Sequence, residues 1–508
     1  MSVLDIHSHR VRRDATVAAT FRNKLSSYIG GEFSQAPSTS FSIVDPATGE
    51  VFVDVDSADE ELAVEAVRCA EDAGSVWRRR SPRERSDVLN RAFEIMKERR
   101  TELADLITAE NGKCTAEALR EVDYAGEYFR WYAEEAVRFP SSSSISPNGD
   151  AEMVVHYQPV GVSLLITPWN VPAAMVTRKL APALAAGCTV VIKPAAQTPL
   201  TALAIAEILG EAGAPRGTVN VVVTAKSSLV VRAMMTERAV RKISFTGSTQ
   251  VGRTLLSQAS SRVLRSSMEL GGNAPVIVLD DADLTSAIEG TLIAKMRNGG
   301  MSCVAANRIF VARKRYQEFV ETFVTRISVL KQGGGFDSHS DFGPLTDGRE
   351  RDRIHGEIYN WVSRGAEVQS GGYLPEGIGN FYPATTVTGL SEEDQFSDDE
   401  IFGPVAAISS FDDSHDLVER LNQSESGLAG YVFGEQDVSF VADNLQVGML
   451  GINRGLVSDV SIPFGGIKQS GLGREGGPQG LLEYLQPKVL SSPTAKGARY
   501  AEDFHCQD

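Results

Sequence analysis

The sequence predicts an α/β fold with a doubly wound parallel sheet, followed by further α/β structure. Three observations lead to this prediction. The chain has 508 residues, enough for about three units at roughly 150 residues each. A helical apolar pattern covers residues 57–136. From residue 162 onward, short apolar runs alternate with helical segments, the pattern of strands that are joined by helical crossovers.

The first region, residues 57–136, is predicted to form amphipathic helices. Apolar residues recur there at three and four positions with charged residues between them, which is the spacing of one helix face. Ser81 and Pro82 with Glu84 read as a helix start, because serine caps the first turn and proline fits its first position.

The second region contains four apolar runs with helical segments between them. Strands that are buried on both faces and joined by helices form a parallel sheet, which binds ligands at the carboxyl ends of its strands. A fifth run, PVIVLD, and a helix then lead to a Gly-Gly loop. The four runs are VSLLIT (162–167), TVVIKP (189–194), VNVVVT (219–224) and KISFTG (242–247).

Three flanking segments are predicted to be irregular. Residues 1–24 contain Arg10, Arg12 and Arg13 but no apolar core, so we expect a surface arm rather than a secretory signal. The Ser-rich stretch 140–150 reads as a linker. The tail from Ser491 is polar and is expected to be loose.

Composition excludes several classes of function. The 50 basic and 66 acidic residues give a net charge of −16, which disfavours binding to nucleic acid or to an anionic membrane. No apolar stretch approaches the roughly 18 residues of a membrane helix. The five cysteines form no CxxC pair, so we expect reduced thiols in the cytoplasm and no metal site.

The residues that could carry chemistry lie in three separate segments. Cys303 follows Gly299-Gly300 and is predicted to open a helix whose dipole would lower the thiol pKa; the alternative is a small buried hydrophobe. Glu269 ends a strand-like run, and Asn170 lies between two prolines after a buried strand. No histidine lies in a motif suited to activating a thiol, which disfavours a thiol hydrolase.

Together these segments resemble the aldehyde dehydrogenase superfamily. Seven blocks occur in the family's order and spacing, and the resemblance covers residues 32–490. It implies a Rossmann-type dinucleotide-binding domain (1–138 and 159–269), an α/β catalytic domain (270–470), a small β oligomerisation arm (139–158 and 471–495) and a polar tail (496–508). The blocks are TPWNVP, KPAAQTP, SFTGST, SMELGGNAP, GGMSC, EIFGP and PFGGIKQSGLGREG.

The resemblance implies a covalent mechanism. Cys303 would attack an aldehyde, with the oxyanion held by the Asn170 amide and the Cys303 backbone N–H. Glu269 would activate the water that hydrolyses the resulting thioester. Two other classes are disfavoured by this set: a non-catalytic structural relative, and a CoA-acylating enzyme, which would not need a water-activating glutamate.

Two glycine-rich segments could bind the dinucleotide. Gly471 to Gly476 spell GxGxxG, but no βαβ unit fits around them, so we interpret the match as coincidental. Gly247 and Ser248 follow a strand and open a helix, a suitable place for pyrophosphate. The resemblance implies a cofactor site made of Thr167, Pro168, Trp169, Lys193, Ala196, Gly247, Ser248, Leu270, Glu400 and Phe402.

The residue at position 196 predicts a preference for NADP, with NAD also possible. Many NAD-using relatives carry a glutamate there, which grips both ribose hydroxyls and would repel a 2′-phosphate. Ala196 leaves room for that phosphate, and Lys193 supplies a positive charge.

Within the superfamily the chain is most similar to the succinate-semialdehyde dehydrogenases. The resemblance implies that Arg178, Arg297 and Ser458 bind the distal carboxylate of the substrate, as arginine binds carboxylates bidentately. The alternative is that both arginines are surface helix residues. Glutarate semialdehyde, another ω-oxo acid and a broader range of aldehydes remain alternative substrates, because one methylene group changes binding too little to separate substrates of different length. Succinate semialdehyde would imply 4-aminobutyrate degradation.

Two positions depart from the family pattern. Ala305 stands where some members carry a second cysteine, so a disulfide switch with Cys303 is not expected. Pro487 removes an N–H donor from the segment LLEYLQPKVL, through which the family assembles. A homodimer or homotetramer is still implied, with the Ser-rich segment 140–150 as part of the arm.

Overall fold

The computed structural model describes residues 3–21, 25–34, 39–139 and 141–495, and the first third of the chain is mainly helical. The helices predicted within residues 57–136 are confirmed, with the Ser81–Glu84 capping box formed at the third helix. The elements are α1 (Val3–Phe21), β1 (Tyr28–Ile29), β2 (Glu32–Phe33), β3 (Ser40–Val44), β4 (Val51–Asp56), α2 (Glu60–Trp77), α3 (Pro82–Glu98), α4 (Arg100–Asn111) and α5 (Thr115–Arg138).

The middle third alternates strands and helices, as predicted. Its strands are short and apolar, and its helices are 10 to 15 residues long. The elements are β5 (Ser142–Ile145), β6 (Ala151–Pro159), β7 (Val162–Ile166), α6 (Pro172–Ala186), β8 (Val190–Lys193), α7 (Leu200–Glu211), β9 (Val219–Val221), α8 (Ser227–Thr236), β10 (Val240–Thr246), α9 (Thr249–Ser260) and β11 (Arg265–Glu269).

The last third contains a second set of strands and the C-terminal segment. A short 3-10 helix (Arg297–Gly300) interrupts it. The elements are β12 (Ala274–Val278), α10 (Leu284–Met296), β13 (Ala306–Ala312), α11 (Arg313–Ser328), α12 (Gly348–Ser363), β14 (Glu367–Ser370), β15 (Thr385–Thr388), α13 (Glu392–Gln395), β16 (Val405–Phe411), α14 (Ser414–Leu421), β17 (Ser426–Gly427), β18 (Ala429–Phe433), α15 (Val438–Asn444), β19 (Met449–Ile452), β20 (Ile467–Lys468), β21 (Gly471–Leu472), α16 (Gly477–Leu482) and β22 (Leu485–Pro493).

Two large sheets form the scaffold. The first has the order β2-β1-β9-β8-β7-β10-β11-β21, and β7 to β11 within it are parallel to their neighbours. The chain reverses its direction of winding at β7, which lies between β8 and β10, and such switch points open a ligand crevice. The second sheet has the order β14-β15-β16-β13-β12-β18-β19.

A separate three-stranded sheet joins two distant parts of the chain. It has the order β22-β6-β5, and β22 pairs with β6 over nine residues, including Pro487 opposite Tyr157. The Ser-rich stretch is therefore not only a linker, because Ser142–Ile145 form the strand β5. Gly471 and Leu472, placed in the arm by the sequence, pair instead with β11 of the first sheet.

The described part of the N-terminal segment is a helix rather than an irregular surface arm. Arg13 is 1% exposed and donates to Asp45 at 3.0 Å. Arg12 forms an ion pair with Asp105 of α4 at 2.6 Å. A buried ion pair therefore anchors α1. The predicted polar tail, residues 496–508, lies outside the described residues.

None of the described helices combines the length and the apolar character that crossing a membrane would require.

Candidate active site

A cavity of about 240 Å³ lies where the strand ends of the first sheet meet the second sheet. It brings together all three predicted catalytic residues and seven of the predicted cofactor residues. A larger cavity of about 1150 Å³ lies beside α1 and α7, and its lining contains none of the predicted site residues. The predicted residues in the first cavity are Pro168, Trp169, Asn170, Gly247, Ser248, Glu269, Leu270, Cys303, Glu400 and Phe402.

Cys303 lies in a turn between the 3-10 helix and β13. The prediction that it opens a helix is wrong, because the chain enters the strand β13 at Ala306. The Gly-Gly pair before it is required by close packing: a Cβ on Gly300 would lie 2.1 Å from the Gly403 carbonyl oxygen. Gly300 also has a φ of +78°, which disfavours other residues.

The predicted lowering of the Cys303 pKa is also wrong. Burial, with a smaller contribution from the Glu400 carboxylate, raises the pKa of the thiol to about 12, although the positive charge of Arg178 opposes the rise. The physical reason is that the turn provides no helix dipole while the surroundings desolvate the thiolate. At neutral pH the free protein therefore holds Cys303 as a thiol that needs a base.

Glu269 ends β11, and its carboxyl group is poised to exchange a proton. The residue is 3% exposed, and neither carboxyl oxygen has a hydrogen-bond partner among the described residues. Burial raises the pKa of this carboxyl well above its usual range, and Glu475 adds to the rise, while Lys179 and Arg178 oppose it. A desolvated carboxylate with a raised pKa is a stronger base, which suits proton transfer near neutral pH.

Asn170 is held by the loop that joins β7 to α6. Its Nδ2 donates to the Met301 carbonyl at 3.0 Å, two residues before the cysteine. The backbone carbonyl of Asn170 accepts hydrogen bonds from Lys113 Nζ at 2.9 Å and from Asn298 Nδ2 at 2.8 Å. The side-chain amide is therefore fixed beside the Cys303 turn.

Glu121 connects this loop to α5. Its carboxylate accepts from the Ala173 backbone N–H at 2.7 Å, at the N-terminus of α6, where a negative charge is stabilised. The same carboxylate pairs with Lys113 at 2.5 Å, and both side chains are almost fully buried. Lys113 and Glu121 thus fix the segment that carries Asn170.

Sequence reasoning missed Lys113, Glu121 and Asn298. Lys113 and Glu121 are separated by eight residues across a helix boundary, so no local spacing marks them as a pair. Asn298 has a φ of +53°, a conformation that asparagine tolerates better than most residues. An asparagine before a Gly-Gly pair was the one available signal.

Among the described residues, Lys193 has no ion-pair partner, and Glu400 has one carboxyl oxygen without a partner. Lys193, at the end of β8, is 6% exposed, and burial lowers its pKa to about 8 with no carboxylate to offset it. Burial raises the pKa of Glu400 to about 8, and its Oε1 has no hydrogen bond in the described part of the chain. An anionic ligand with free hydroxyl groups fits both.

Three of the predicted cofactor residues, Thr167, Lys193 and Ala196, do not line the cavity, whereas the other seven do. Ser248 caps α9, and Trp169 packs edge to face on Phe402 at 5.5 Å. Thr167 is buried, whereas Ala196 is half-buried. The GxGxxG segment packs against a strand instead: a Cβ on Gly471 would lie 2.2 Å from the Met268 carbonyl oxygen.

The three predicted substrate residues have different environments. Arg178 is 2% exposed, so the surface-helix alternative is wrong for it. Arg297 is exposed and Ser458 is half-buried. None of the three lines the cavity of about 240 Å³, but the charge of Arg178 acts on both Cys303 and Glu269.

Comparison with known proteins gives one consistent family. The model of the aldehyde dehydrogenase family matches residues 33–490. The succinate-semialdehyde dehydrogenase of Paenarthrobacter nicotinovorans is 45% identical over 436 residues, covering 85% of this chain and 97% of that protein. The glutarate-semialdehyde dehydrogenase of Pseudomonas putida is 43% identical over 476 residues, covering 93% and 98%.

Two further similarities concern the cofactor and the fold. A succinate-semialdehyde dehydrogenase [NADP(+)] of Escherichia coli is 41% identical over 465 residues, covering 91% of this chain and 96% of that protein. The crystal structure of succinate-semialdehyde dehydrogenase from Burkholderia pseudomallei is similar with a TM-score of 0.90 and 40% identity, covering 92% and 98%.

Proposed function

The chain belongs to the aldehyde dehydrogenase family, and from that premise we propose that it oxidises succinate semialdehyde, or a similar small carboxylated aldehyde, to the acid. It is an enzyme that uses a nicotinamide cofactor. The observation that carries the proposal is the meeting of Cys303, Glu269 and Asn170 at one cavity. The named relatives supply the substrate class.

The first half of the proposed reaction joins the aldehyde to Cys303. The sulfur bonds to the carbonyl carbon while the thiol proton passes to Glu269, whose raised pKa suits it to accept a proton. The oxygen becomes an alkoxide that accepts hydrogen bonds from the Asn170 amide and the Cys303 N–H. Fixed donors of this kind stabilise charge without reorganising.

The second half releases the acid. Lys193, Ser248, Glu400 and Phe402 would hold the nicotinamide cofactor, which would supply the hydride acceptor needed to oxidise the substrate carbon bonded to Cys303 to the thioester level. Glu269 first releases the thiol proton to solvent and then takes a proton from water, whose hydroxide adds to the thioester carbon. The carbon–sulfur bond breaks, and the departing Cys303 thiolate regains a proton from Glu269. These proton transfers by one carboxyl group require that it stays uncommitted to protein hydrogen bonds.

We further propose a preference for NADP over NAD. Ala196 places no carboxylate where a 2′-phosphate would lie, and none of the described residues offers the buried Lys193 an anionic partner that would compete with a phosphate. The name of the Escherichia coli relative supports NADP use. Ala196→Glu should reverse the preference, measured as the ratio of kcat/KM with the two cofactors. An unchanged ratio would contradict the assignment.

The substrate class is tested by initial rates with succinate semialdehyde, glutarate semialdehyde and butyraldehyde, each with NADP and with NAD. We expect both carboxylated aldehydes to be preferred over butyraldehyde. Cys303→Ala should abolish cofactor reduction and leave nucleotide binding unchanged. Equal turnover of butyraldehyde would reduce the proposal to an aldehyde dehydrogenase without carboxylate selectivity. The glutarate semialdehyde rate decides between the two chain lengths that the relatives' names give.

We also propose a homodimer or homotetramer in the cytoplasm. The sheet β22-β6-β5 leaves most of β22 exposed, and an open strand edge invites pairing with another chain. The reactive Cys303 needs a reducing compartment. Light scattering of the purified protein measures the assembly.

A further inference from the structure

Two tyrosines of α5 occupy the edge of Arg178 that would ordinarily grip a carboxylate. Arg178 Nε donates to the Tyr128 hydroxyl at 2.9 Å, and Nη2 donates to the Tyr124 hydroxyl at 3.0 Å. The two hydroxyl oxygens are 2.8 Å apart. They therefore stand where the two oxygens of a bidentate carboxylate would lie.

This arrangement leaves one hydroxyl proton uncommitted. Each oxygen accepts an N–H from Arg178, and one hydroxyl donates to the other, so the second proton has no protein acceptor among the described residues. Tyr128 is fully buried, whereas Tyr124 is half-buried. The accessible Tyr124 is therefore the residue whose proton can reach a ligand.

Phe464 links Arg178 to the apolar cluster against which Cys303 packs. The Arg178 guanidinium lies 4.1 Å from the centre of the Phe464 ring, and Cys303 packs against the apolar cluster that contains Phe464. The charge of Arg178 also acts on Cys303 and Glu269. A short ligand bonded to the cysteine and directed along Phe464 would approach Arg178.

We propose that the Tyr124 hydroxyl, oriented by Tyr128 and Arg178, donates a hydrogen bond to the distal carboxylate of the substrate and is a specificity-determining residue. The inference rests on the proposed function, because it requires a carboxylated aldehyde. Arg178 still supplies positive charge, which is partly offset by Glu475, whose Oε2 lies 3.8 Å from Arg178 Nε. Its Nη1 makes no hydrogen bond to the described residues. The carboxylate is thus held by an arginine and a tyrosine rather than by both nitrogens of an arginine edge.

Polarisation explains why a neutral hydroxyl suffices. A hydroxyl that accepts from a guanidinium becomes a stronger donor, because hydrogen bonds in a chain reinforce one another in a low-dielectric site. An uncharged aldehyde of the same length gains little from this donor. The Tyr124–Tyr128 pair therefore adds selectivity for the carboxylate.

The test compares Tyr124→Phe with a matched control on the same helix. Tyr132→Phe removes a hydroxyl that donates to the Gly477 carbonyl instead of contacting Arg178. We expect Tyr124→Phe to raise KM for succinate semialdehyde about 10- to 100-fold, the loss of one hydrogen bond to a charged group. Its kcat, and KM for butyraldehyde, should change less than about twofold. Tyr132→Phe should leave the ratio of the two KM values unchanged.

Inhibition by succinate compared with inhibition by the uncharged butyramide gives a second readout that does not depend on turnover. Tyr124→Phe should selectively weaken inhibition by succinate. Tyr128→Phe should weaken it less, because this variant keeps the Tyr124 hydroxyl but removes the group that orients it. Equal changes for charged and uncharged ligands, or an effect as large in Tyr132→Phe, would overturn the inference while the proposed function stands. A wild-type enzyme without preference for carboxylated aldehydes would instead contradict the proposed function itself.

Discussion

The two sides of the cavity differ in how their polar groups are satisfied. On the Asn170 side, the loop is held by the buried Lys113–Glu121 pair and by Asn298, so its carbonyl and amide have protein partners. On the Glu269 side, neither oxygen of Glu269, nor Oε1 of Glu400, has a partner in the described residues.

This difference matches the two roles in the proposed mechanism, oxyanion stabilisation by Asn170 and proton transfer by Glu269. A donor that stabilises an oxyanion must keep its orientation, which is achieved by tying its backbone into a fixed network. A group that carries a proton must change its charge, so partners that favour one protonation state would hinder it. The protein therefore accepts the cost of burying unpartnered carboxyl groups on the side where protons move.

The largest expected effect comes from Glu269→Gln. The variant should lose about 10²- to 10⁴-fold in kcat, because general base catalysis contributes that much, and its unfolding temperature should not fall. Since the folded pKa of Glu269 is raised, wild-type stability declines as pH rises above the unfolded value, and glutamine removes this decline. Calorimetry at pH 6 and pH 8 checks the second part; a variant destabilised at pH 8 would contradict the picture of an uncommitted carboxyl.

On the opposite side, Lys113→Met should cost stability as well as rate. Breaking a buried pair leaves Glu121 uncompensated, which costs about 3–5 kcal/mol of unfolding free energy. Denaturant titration measures the loss. The double variant with Glu121→Gln should recover part of it, because the lone charge is then absent; a single variant as stable as the wild type would show that this pair does not hold the loop.

The protonation of Cys303 predicts a pH dependence of its alkylation. With a thiol pKa of about 12, the thiolate fraction in the free protein rises tenfold per pH unit, so reaction with iodoacetamide should quicken about 100-fold between pH 7 and pH 9. The Cys303→Ala variant corrects for Cys69, which is half-buried. A plateau near pH 8 would mean that the thiol is not desolvated in the free protein.

The smallest expected effect is that of Asn298→Gly. Glycine accepts the φ of +53° at this position, so the substitution removes only the side-chain hydrogen bonds to the Asn170 and Met301 carbonyls. We expect kcat to fall about three- to tenfold and the unfolding free energy to fall by about 1–2 kcal/mol. Steady-state rates and urea unfolding measure the two. An unchanged kcat would mean that Lys113 alone, without Asn298, holds the loop that carries Asn170.

Patterns within one segment of the chain predicted much of this molecule. The alternation of apolar runs and helices predicted β7 to β10 and the crevice at their ends, because strands that are buried on both faces are apolar along their whole length. The capping box of α3 was predictable for the same reason, because it lies within the four adjacent residues 81–84. The three catalytic residues came from short blocks whose order matches a known family.

Features that depend on distant partners were not predictable. The pKa of Cys303 depends on Glu400 and Arg178, which are about 100 residues away on either side. The Gly-Gly pair next to Cys303 therefore gave the wrong prediction of a helix start with a lowered thiol pKa. Arg13 was expected on the surface because its partner, Asp45, lies 32 residues later in the chain. The strand β5 was read as a linker because serine-rich composition says nothing about pairing with β6.

The pairing of β11 with β21 has a consequence for synthesis of the protein. About 200 residues separate Glu269 from Gly471, its antiparallel partner. At roughly 5–20 residues per second, a ribosome needs about 10–40 s to cover that distance. During this interval the nascent chain carries an unpaired β11 edge, and exposed strand edges promote association between chains. We therefore expect chaperones at the ribosome to bind the incomplete chain at this open edge.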